Sequence, residues 1–250
     1  MLSLAIVWAT AFAPAVFAQS SPAAATSAPK KVAEKTPAKS PEKAAEPAPD
    51  EVAPGQPVSF MLTDLAGWVV ATEDNRGLPF AVVDKVAAQI VVFDVHGKVK
   101  GMAPILTGSA VGDASAPGVG DRELKDIPKG DRTTPAGRFL AGYGPAVGGQ
   151  RVLWVDYATS VSIHPMPATS ASKKEKRKER LASPKPDDNR ITHGCINVSS
   201  TFYKKVVSTV FKKGGIFYVL PDTMTAEEAF PGFVPPTRIA AATGADVQSR

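Results

Sequence analysis

Short runs of β-branched and aromatic residues, separated by Gly, Pro and other turn residues, dominate the middle of the chain. Such runs fit a pleated, half-buried surface and therefore favour strands. His96-Gly97 predicts a hairpin turn between two of them. Several short strands at this spacing predict a mainly β domain with one or two helices and a β-sandwich-like core. We predict strands over residues 80–83, 89–94, 98–106, 138–142, 152–156, 160–164 and 216–220.

One segment near the end of this region has apolar residues at the helical spacing of three and four. It follows Ser199 and Ser200, either of which can cap a helix, and Gly214-Gly215 ends it. A second, shorter helix is predicted over residues 66–72. The apolar face of the longer helix consists of Phe202, Tyr203, Val206, Val207, Val210 and Phe211.

Proline-rich segments near both ends of the chain limit the folded part to its middle. Residues 1–18 form an apolar run with a small-x-small pattern at residues 16–18, and we expect a signal peptide or an N-terminal anchor. Residues 19–57 are rich in Ala, Pro, Lys and Glu and lack aromatic residues, which predicts a disordered linker. We therefore expect one folded domain over residues 58–222 and a flexible tail over residues 223–250.

Both interpretations of the first 18 residues place the rest of the chain outside the cytoplasm, in the periplasm or the cell wall. No later stretch is long and apolar enough to span a bilayer. We therefore expect contact with a membrane only through the N-terminal segment, if that segment remains uncleaved.

The net charge of +5 is concentrated in one short segment. Residues 173–180 contain six basic and two acidic residues, which is +4 of the total. No aromatic residues alternate with these charges, so the pattern does not indicate a nucleic-acid partner. A run of this kind is typical of a solvated loop or helix.

The chain has one cysteine, Cys195, which cannot form an internal disulfide. A thiolate is a strong nucleophile, but a base or a positive field is needed to form it near neutral pH. The candidate bases are His164 and His193, since His96 lies in a predicted exposed turn. Gly194 lets the backbone approach closely before the cysteine, so that neighbouring N–H groups can face a developing oxyanion.

The sequence around these residues resembles the catalytic domain of the L,D-transpeptidase (YkuD-like) family. The resemblance rests first on His164, followed after a spacer by Thr-His-Gly-Cys-Ile-Asn at residues 192–197. Thr-Pro-Ala-Gly-Arg-Phe at 134–139 and Pro-Ile-Leu-Thr-Gly at 104–108 are similar to two further family motifs. The order and spacing of these motifs fit over residues 78–220, and the combination is specific although each piece alone is weak.

The resemblance implies a cysteine acyltransferase that acts on peptidoglycan without a cofactor or a metal. Cys195 would attack a tetrapeptide stem after its third residue and release D-Ala, with His164 as general base and then acid. The acyl group would pass to an amine of a neighbouring stem or of an outer-membrane lipoprotein. Backbone N–H groups of residues 193–195 would hold the oxyanion, and the Pro165 carbonyl would orient His164. The surrounding residues of the predicted site are Thr192, His193, Gly194, Pro165 and Asn197.

Three features depart from the family pattern. The spacer between His164 and Thr192 is longer than usual and contains the basic run, which suggests a lid that shapes the choice of acceptor. Pro165 replaces the commoner Gly, and Asn197 stands where many relatives have Arg. His193 has two interpretations, since it either shapes the loop through its backbone or tunes the thiolate with its ring.

Three alternatives remain open from the sequence. Water in place of the amine acceptor would give a hydrolase with the same residues. His164, His193 and Cys195 could instead ligate zinc, although no fourth ligand has the spacing of a known motif. A wall-binding module with an inactive site is the last alternative.

Overall fold

The computed structural model describes residues 58–146 and 151–235, and it confirms the prediction of a mainly β domain. The seven predicted strands are present within one or a few residues of their expected bounds. Three short strands near the site were not predicted. The described strands are β1 (Phe80–Asp84), β2 (Gln89–Phe93), β3 (Val99–Pro104), β4 (Thr107–Gly108), β5 (Gly137–Pro145), β6 (Arg151–Asp156), β7 (Val161–Pro165), β8 (Arg190–Thr192), β9 (Ile196–Val198) and β10 (Gly215–Val219).

Eight of these strands form one mixed sheet in the order β3-β2-β1-β10-β5-β6-β7-β9. The pairs β1–β10 and β7–β9 are parallel, and the other neighbours are antiparallel. Strands β4 and β8 pair separately as a parallel two-stranded sheet. Strand β9 lies at the end of this sheet and begins at the residue that follows Cys195, the candidate nucleophile.

Strand β5 joins the two halves of the large sheet. Its residues 137–141 pair with β10, and its residues 142–145 pair with β6. Side chains from both halves, such as Val83 and Ile163, belong to one buried cluster, which gives the core its predicted sandwich-like character. Leu106 and Asn197 exchange two backbone hydrogen bonds of 2.9 Å, and these link β9 to the segment after β3.

The first helix, α1 (Phe60–Thr72), is longer than the predicted segment 66–72. Its start is fixed by Ser59, whose hydroxyl oxygen accepts a hydrogen bond of 3.2 Å from the Leu62 N–H, as an N-cap serine does. The buried side chains of α1 pack in a second apolar cluster with Phe80 and Tyr218 of the sheet.

The predicted helix after Ser199 is present, and Ser199 caps it by accepting a hydrogen bond of 3.1 Å from the Phe202 N–H. It continues through α4 (Ser200–Phe202), a π-helical segment (Tyr203–Val207) and α5 (Ser208–Val210). Gly214, with a φ of 86°, reverses the chain beyond it, and a Cβ there would lie 2.5 Å from the Ala141 carbonyl oxygen. The spacer before the nucleophile contains two further short helices, α2 (Ser170–Lys174) and α3 (Arg177–Leu181).

The packed domain extends beyond the boundary expected at residue 222. Helix α6 (Ala226–Ala229) begins at a capping box formed by Thr225 and Glu228. Phe230 and Phe233 are buried in the same cluster as α1, and the rings of Phe233 and Trp68 meet edge to face at 5.8 Å. Apolar burial therefore holds residues 223–233 against the domain, contrary to the expectation of a flexible segment there.

The predicted N-terminal segment and linker, and the last 15 residues of the expected tail, lie outside the described residues. Among the helices that the structure describes, none combines the length and the hydropathy needed to cross a bilayer.

A buried ionic cluster connects the residue after β1, Lys85, to Thr134 beneath the candidate site. The Lys85 ammonium contacts carboxylate oxygens of Asp113 at 2.9 Å and Asp222 at 3.4 Å, and it donates to the Thr134 carbonyl at 3.0 Å. Arg190 of β8 pairs with the other oxygen of Asp222 at 2.7 Å. Burial alone would raise the pKa of the Asp113 carboxyl, but hydrogen bonds from the Asp222 backbone and Lys85 hold that pKa well below its usual range.

Replacement of Lys85 by Met should strongly destabilise the domain. The Lys85 side chain is 1% exposed, and removing one partner of a buried ion pair typically costs about 3–5 kcal/mol because the opposite charge stays buried. Urea denaturation measures this free energy of unfolding. The matched control is Lys125→Met, since Lys125 pairs with Glu123 on the surface at 74% exposure, and we expect a change within about 0.5 kcal/mol. An equally small change for Lys85→Met would contradict a stabilising role for the cluster.

Candidate active site

Cys195 lies in the short loop between β8 and β9 and is half-buried. Its sulfur is 3.6 Å from the Ser162 hydroxyl oxygen and 3.7 Å from the Ser160 carbonyl oxygen. Both contacts come from β7 or the turn before it. The thiol is therefore held against the strand that carries the candidate base.

His164 lies near the end of β7, in register with Asn197 of the parallel neighbour β9. Its Nδ1 is 2.8 Å from the Pro165 carbonyl oxygen. Because a carbonyl can only accept, Nδ1 carries the ring proton, and Nε2 is the acceptor of the neutral imidazole. The Asn197 amide nitrogen lies 3.1 Å from Nε2, and the Cys195 side chain is close enough to the ring to interact with it. The structure thus brings together His164, Cys195 and the Pro165 carbonyl.

The two side chains shift each other's pKa in opposite directions. Burial by itself raises the pKa of the Cys195 thiol, but the hydrogen bond and the charge of His164 outweigh it and lower that pKa. Burial by itself lowers the pKa of His164, but the hydrogen bond and the charge of Cys195 raise it above its ordinary value. Both net shifts favour a thiolate–imidazolium pair, which is the reactive form of a catalytic cysteine.

The loop before Cys195 needs glycine at position 194. Gly194 has a φ of 127°, and a Cβ there would lie 2.8 Å from the Thr133 carbonyl oxygen. The buried Thr134 hydroxyl donates to the Gly194 carbonyl at 2.7 Å and accepts from the Gly108 N–H at 2.9 Å. The segment that begins at Thr134 is therefore a support beneath the loop.

Thr192 braces the same loop from the other side. Its hydroxyl donates to the Cys195 carbonyl at 2.6 Å and accepts from the Gly194 N–H at 3.1 Å. The Gly194 N–H is thus already engaged, which corrects the expectation that it faces an oxyanion. The N–H groups of His193 and Cys195 remain the candidate donors.

His193 is half-buried, and two positive charges act on its ring. Burial, followed by the positive charges of Arg132 and Arg177, lowers the pKa of its imidazole. The ring is therefore neutral near neutral pH. This environment favours the interpretation in which His193 shapes the loop, and that role stays a prediction.

Arg177 is a residue of the candidate site that the sequence reasoning missed. It belongs to the basic run, which we expected to be solvated, yet its side chain is only 12% exposed. Its Nη1 donates to the Asn197 amide oxygen at 2.9 Å, and the Asn197 amide nitrogen lies 3.1 Å from His164 Nε2. The only sequence signal for a basic residue at the site was that the run lies between His164 and Thr192. That position does not show which residue of the run faces the site.

The zinc alternative requires a set of ligands around His164, His193 and Cys195. Within residues 58–146 and 151–235, no group of three or more His, Cys, Asp or Glu side chains is arranged to hold a metal ion. The geometry that the described residues do provide is that of a nucleophile, a base and a group that orients the base.

No protein-family profile and no curated protein matches the chain. Similar solved structures include an L,D-transpeptidase from Mycobacterium smegmatis, at 21% identity over 57% of this chain and 58% of that chain, with a TM-score of 0.32. The catalytic domain of the Enterococcus faecium L,D-transpeptidase is 21% identical over 58% of this chain and 98% of its own, with a TM-score of 0.32. The helical cell shape determining protein of Campylobacter jejuni is 14% identical over 67% of this chain and 58% of its own, with a TM-score of 0.38.

The alignment with the Mycobacterium smegmatis enzyme thus spans little more than half of that enzyme's length. At these identities and TM-scores the matches carry no argument about activity.

Replacement of His164 by Gln should shift the pH dependence of Cys195 alkylation to higher pH. The imidazole lowers the pKa of the thiol, and iodoacetamide reacts with the thiolate. Because Cys195 is the only cysteine in the sequence, the rate of alkylation reports on it alone. The exposed His96→Gln serves as the control and should keep the wild-type profile. Identical profiles for His164→Gln and the wild type would show that the imidazole does not act on the thiol.

Replacement of Gly194 by Ala should distort the loop and lower the free energy of unfolding by about 1–3 kcal/mol, which is the usual cost of a strained backbone conformation. The new Cβ would contact the Thr133 carbonyl oxygen at 2.8 Å. Gly130→Ala is the matched control, because its Cβ would have no neighbour within 4 Å. Urea denaturation and the rate of Cys195 alkylation measure the two effects. Wild-type values for both in Gly194→Ala would mean that the loop tolerates a side chain.

Proposed function

We propose that the chain is a cysteine acyltransferase of the L,D-transpeptidase type, acting on the stem peptides of peptidoglycan. The observation that carries the proposal is the arrangement of His164 between the Pro165 carbonyl and the Cys195 thiol. This is the geometry of an activated nucleophile whose base is oriented by a third group. The Thr-His-Gly-Cys motif at residues 192–195, with its resemblance to that family, supports the same chemistry.

The first half of the reaction forms a thioester. The Cys195 thiol gives its proton to His164 Nε2, and the thiolate attacks the carbonyl carbon of the third residue of a tetrapeptide stem. The oxygen of that carbonyl becomes an oxyanion, for which the N–H groups of His193 and Cys195 are the proposed donors. The tetrahedral intermediate then expels the amine of D-Ala, which takes the proton from the His164 imidazolium.

The second half transfers the acyl group. An amine of a neighbouring stem, or of an outer-membrane lipoprotein, attacks the thioester and gives its proton to His164. The Cys195 thiolate leaves, recovers that proton and completes the cycle. The same groups would serve water as the acceptor, so the acceptor has to be identified from the products.

The charges around the site support a peptide substrate that carries a carboxylate. The positive charge of Arg132 acts on the site closely enough to lower the pKa of His193. Positive charges that line a site raise the local concentration of an anionic substrate. A stem peptide that ends in D-Ala carries such an anion.

The proposed location is outside the cytoplasm, in the periplasm or the cell wall. It rests on the apolar N-terminal segment of the sequence, which is predicted to be a signal peptide or an anchor. Peptidoglycan is found in that compartment, so the location agrees with the proposed substrate.

Intact-protein mass spectrometry after incubation with a tetrapeptide-stem muropeptide tests the proposal. We expect a covalent adduct whose mass equals the muropeptide minus D-Ala on the wild type and on the control His96→Gln. Cys195→Ala should show no adduct, because it lacks the nucleophile. Addition of a second stem as acceptor should release a cross-linked dimer. No adduct on the wild type would contradict the acyl-enzyme, and release of free tripeptide stems without a dimer would show a hydrolase instead.

A further inference from the structure

Arg177 connects the spacer helices to the catalytic pair through a single amide. Its Nη1 donates to the Asn197 Oδ1 at 2.9 Å, and the Asn197 Nδ2 is 3.1 Å from the His164 Nε2. Asn197 is fully buried, so neither end of its amide is open to water. The contact therefore reaches from the surface of α3 to the base of the proposed reaction.

The chemistry of these groups fixes the orientation of the amide. A guanidinium only donates hydrogen bonds, so the amide oxygen of Asn197 has to face Arg177. The amide N–H₂ then faces His164, whose Nε2 is the acceptor because Nδ1 donates to the Pro165 carbonyl. These two contacts select the Nδ1–H tautomer whenever the ring is neutral.

We propose that Arg177 is a positioning residue that acts through Asn197 to keep His164 Nε2 unprotonated in the resting site, and that the Asn197 amide gives up this lone pair when the Cys195 proton is transferred to it. The proposal rests on the function proposed above for His164 as base and acid. Protonated Nε2 would face an amide N–H, and that repulsion disfavours the imidazolium. Asn197 and Arg177 therefore oppose the effect of the Cys195 thiolate, which favours the imidazolium.

The balance between these neighbours has a consequence for catalysis. The charged groups that act on His164 are Cys195, which raises its pKa, and Arg177, which lowers it. Because Arg177 and Asn197 destabilise the His164 imidazolium, they make it a stronger acid. It therefore gives its proton more readily to the departing amine of D-Ala. Arg177 thus favours release of the leaving group.

The spacer is built to hold Arg177 in this position. Lys176, with a φ of 52°, reverses the chain between α2 and α3 and begins the helix that carries Arg177. Glu175 accepts from the Arg177 Nε at 2.7 Å. Arg180 donates to the carbonyl oxygens of Glu175 and Asp188, each at 2.8 Å. The arginine is therefore a braced part of the site, whereas the neighbouring lysines of the run are exposed.

Titration of the His164 ring by NMR tests the proposal in a Cys195→Ala background, where the thiolate no longer acts on the ring. We expect Arg177→Met to move the titration midpoint to higher pH. Lys178→Met removes the same charge from the adjacent exposed position and should leave the midpoint unchanged. An unchanged midpoint in Arg177→Met, or an equal shift in Lys178→Met, would overturn the proposal.

A double-mutant comparison separates action through the amide from action of the charge across space. If Arg177 acts through Asn197, the shift caused by Arg177→Met should be smaller when Asn197 is Ala. Asn197→Ser, whose hydroxyl is too short to bridge the two groups, replaces Asn197→Ala if that variant does not fold. A shift of equal size in the presence and absence of the amide would overturn the positioning role.

Kinetics with Cys195 intact distinguish a failure of this inference from a failure of the proposed function. If the wild type transfers acyl groups, Arg177→Met should lower kcat by up to about a hundredfold with little change in KM. A raised KM with unchanged kcat would assign Arg177 to substrate binding and overturn the proposal. If the wild type has no acyltransferase activity, the proposed function fails, whereas the NMR shifts still decide the link between Arg177 and His164.

Discussion

The parallel pairing of β7 with β9 is the constraint on which the site depends. His164 lies near the end of one strand, and Cys195 immediately precedes the other. The two residues are far apart in sequence, and the register of this pair brings their side chains together. The hydrogen bond between His164 Nδ1 and the Pro165 carbonyl then orients the ring. Backbone geometry thus assembles a candidate site that local sequence alone does not.

The loop that carries the nucleophile is rigid because its polar groups are satisfied from two sides. Thr134, in the segment before β5, supports the loop from one side, and the Thr192 hydroxyl bonds to the Cys195 carbonyl within the loop. Lys85 donates to the Thr134 carbonyl and to Asp113, so the support continues into a buried ionic cluster. Preorganisation of this kind lowers the cost of bringing the reacting groups into position.

Most of the fold was predictable from sequence because its signals are local, and a local motif was enough to propose Cys195 as the nucleophile. Runs of β-branched residues marked the strands, and the motif at residues 192–197 marked Cys195. The three-residue strand β9 was too short to show a period. Ser59 lengthened α1 through a cap that we did not anticipate. The contact between Arg177 and Asn197 depends on how the spacer folds back on the sheet, and no local pattern encodes that path.

The first and last helices of the domain pack in one apolar cluster, where Trp68 meets Phe233. Val58, the first described residue, packs against the same cluster. Domains whose ends meet in this way tolerate circular permutation. A short peptide that joins residue 235 to residue 58 would leave the β-sheet intact, and new termini can be opened in the exposed segment at residues 121–126. The arrangement of strands in space, rather than their order along the chain, is what the proposed site requires.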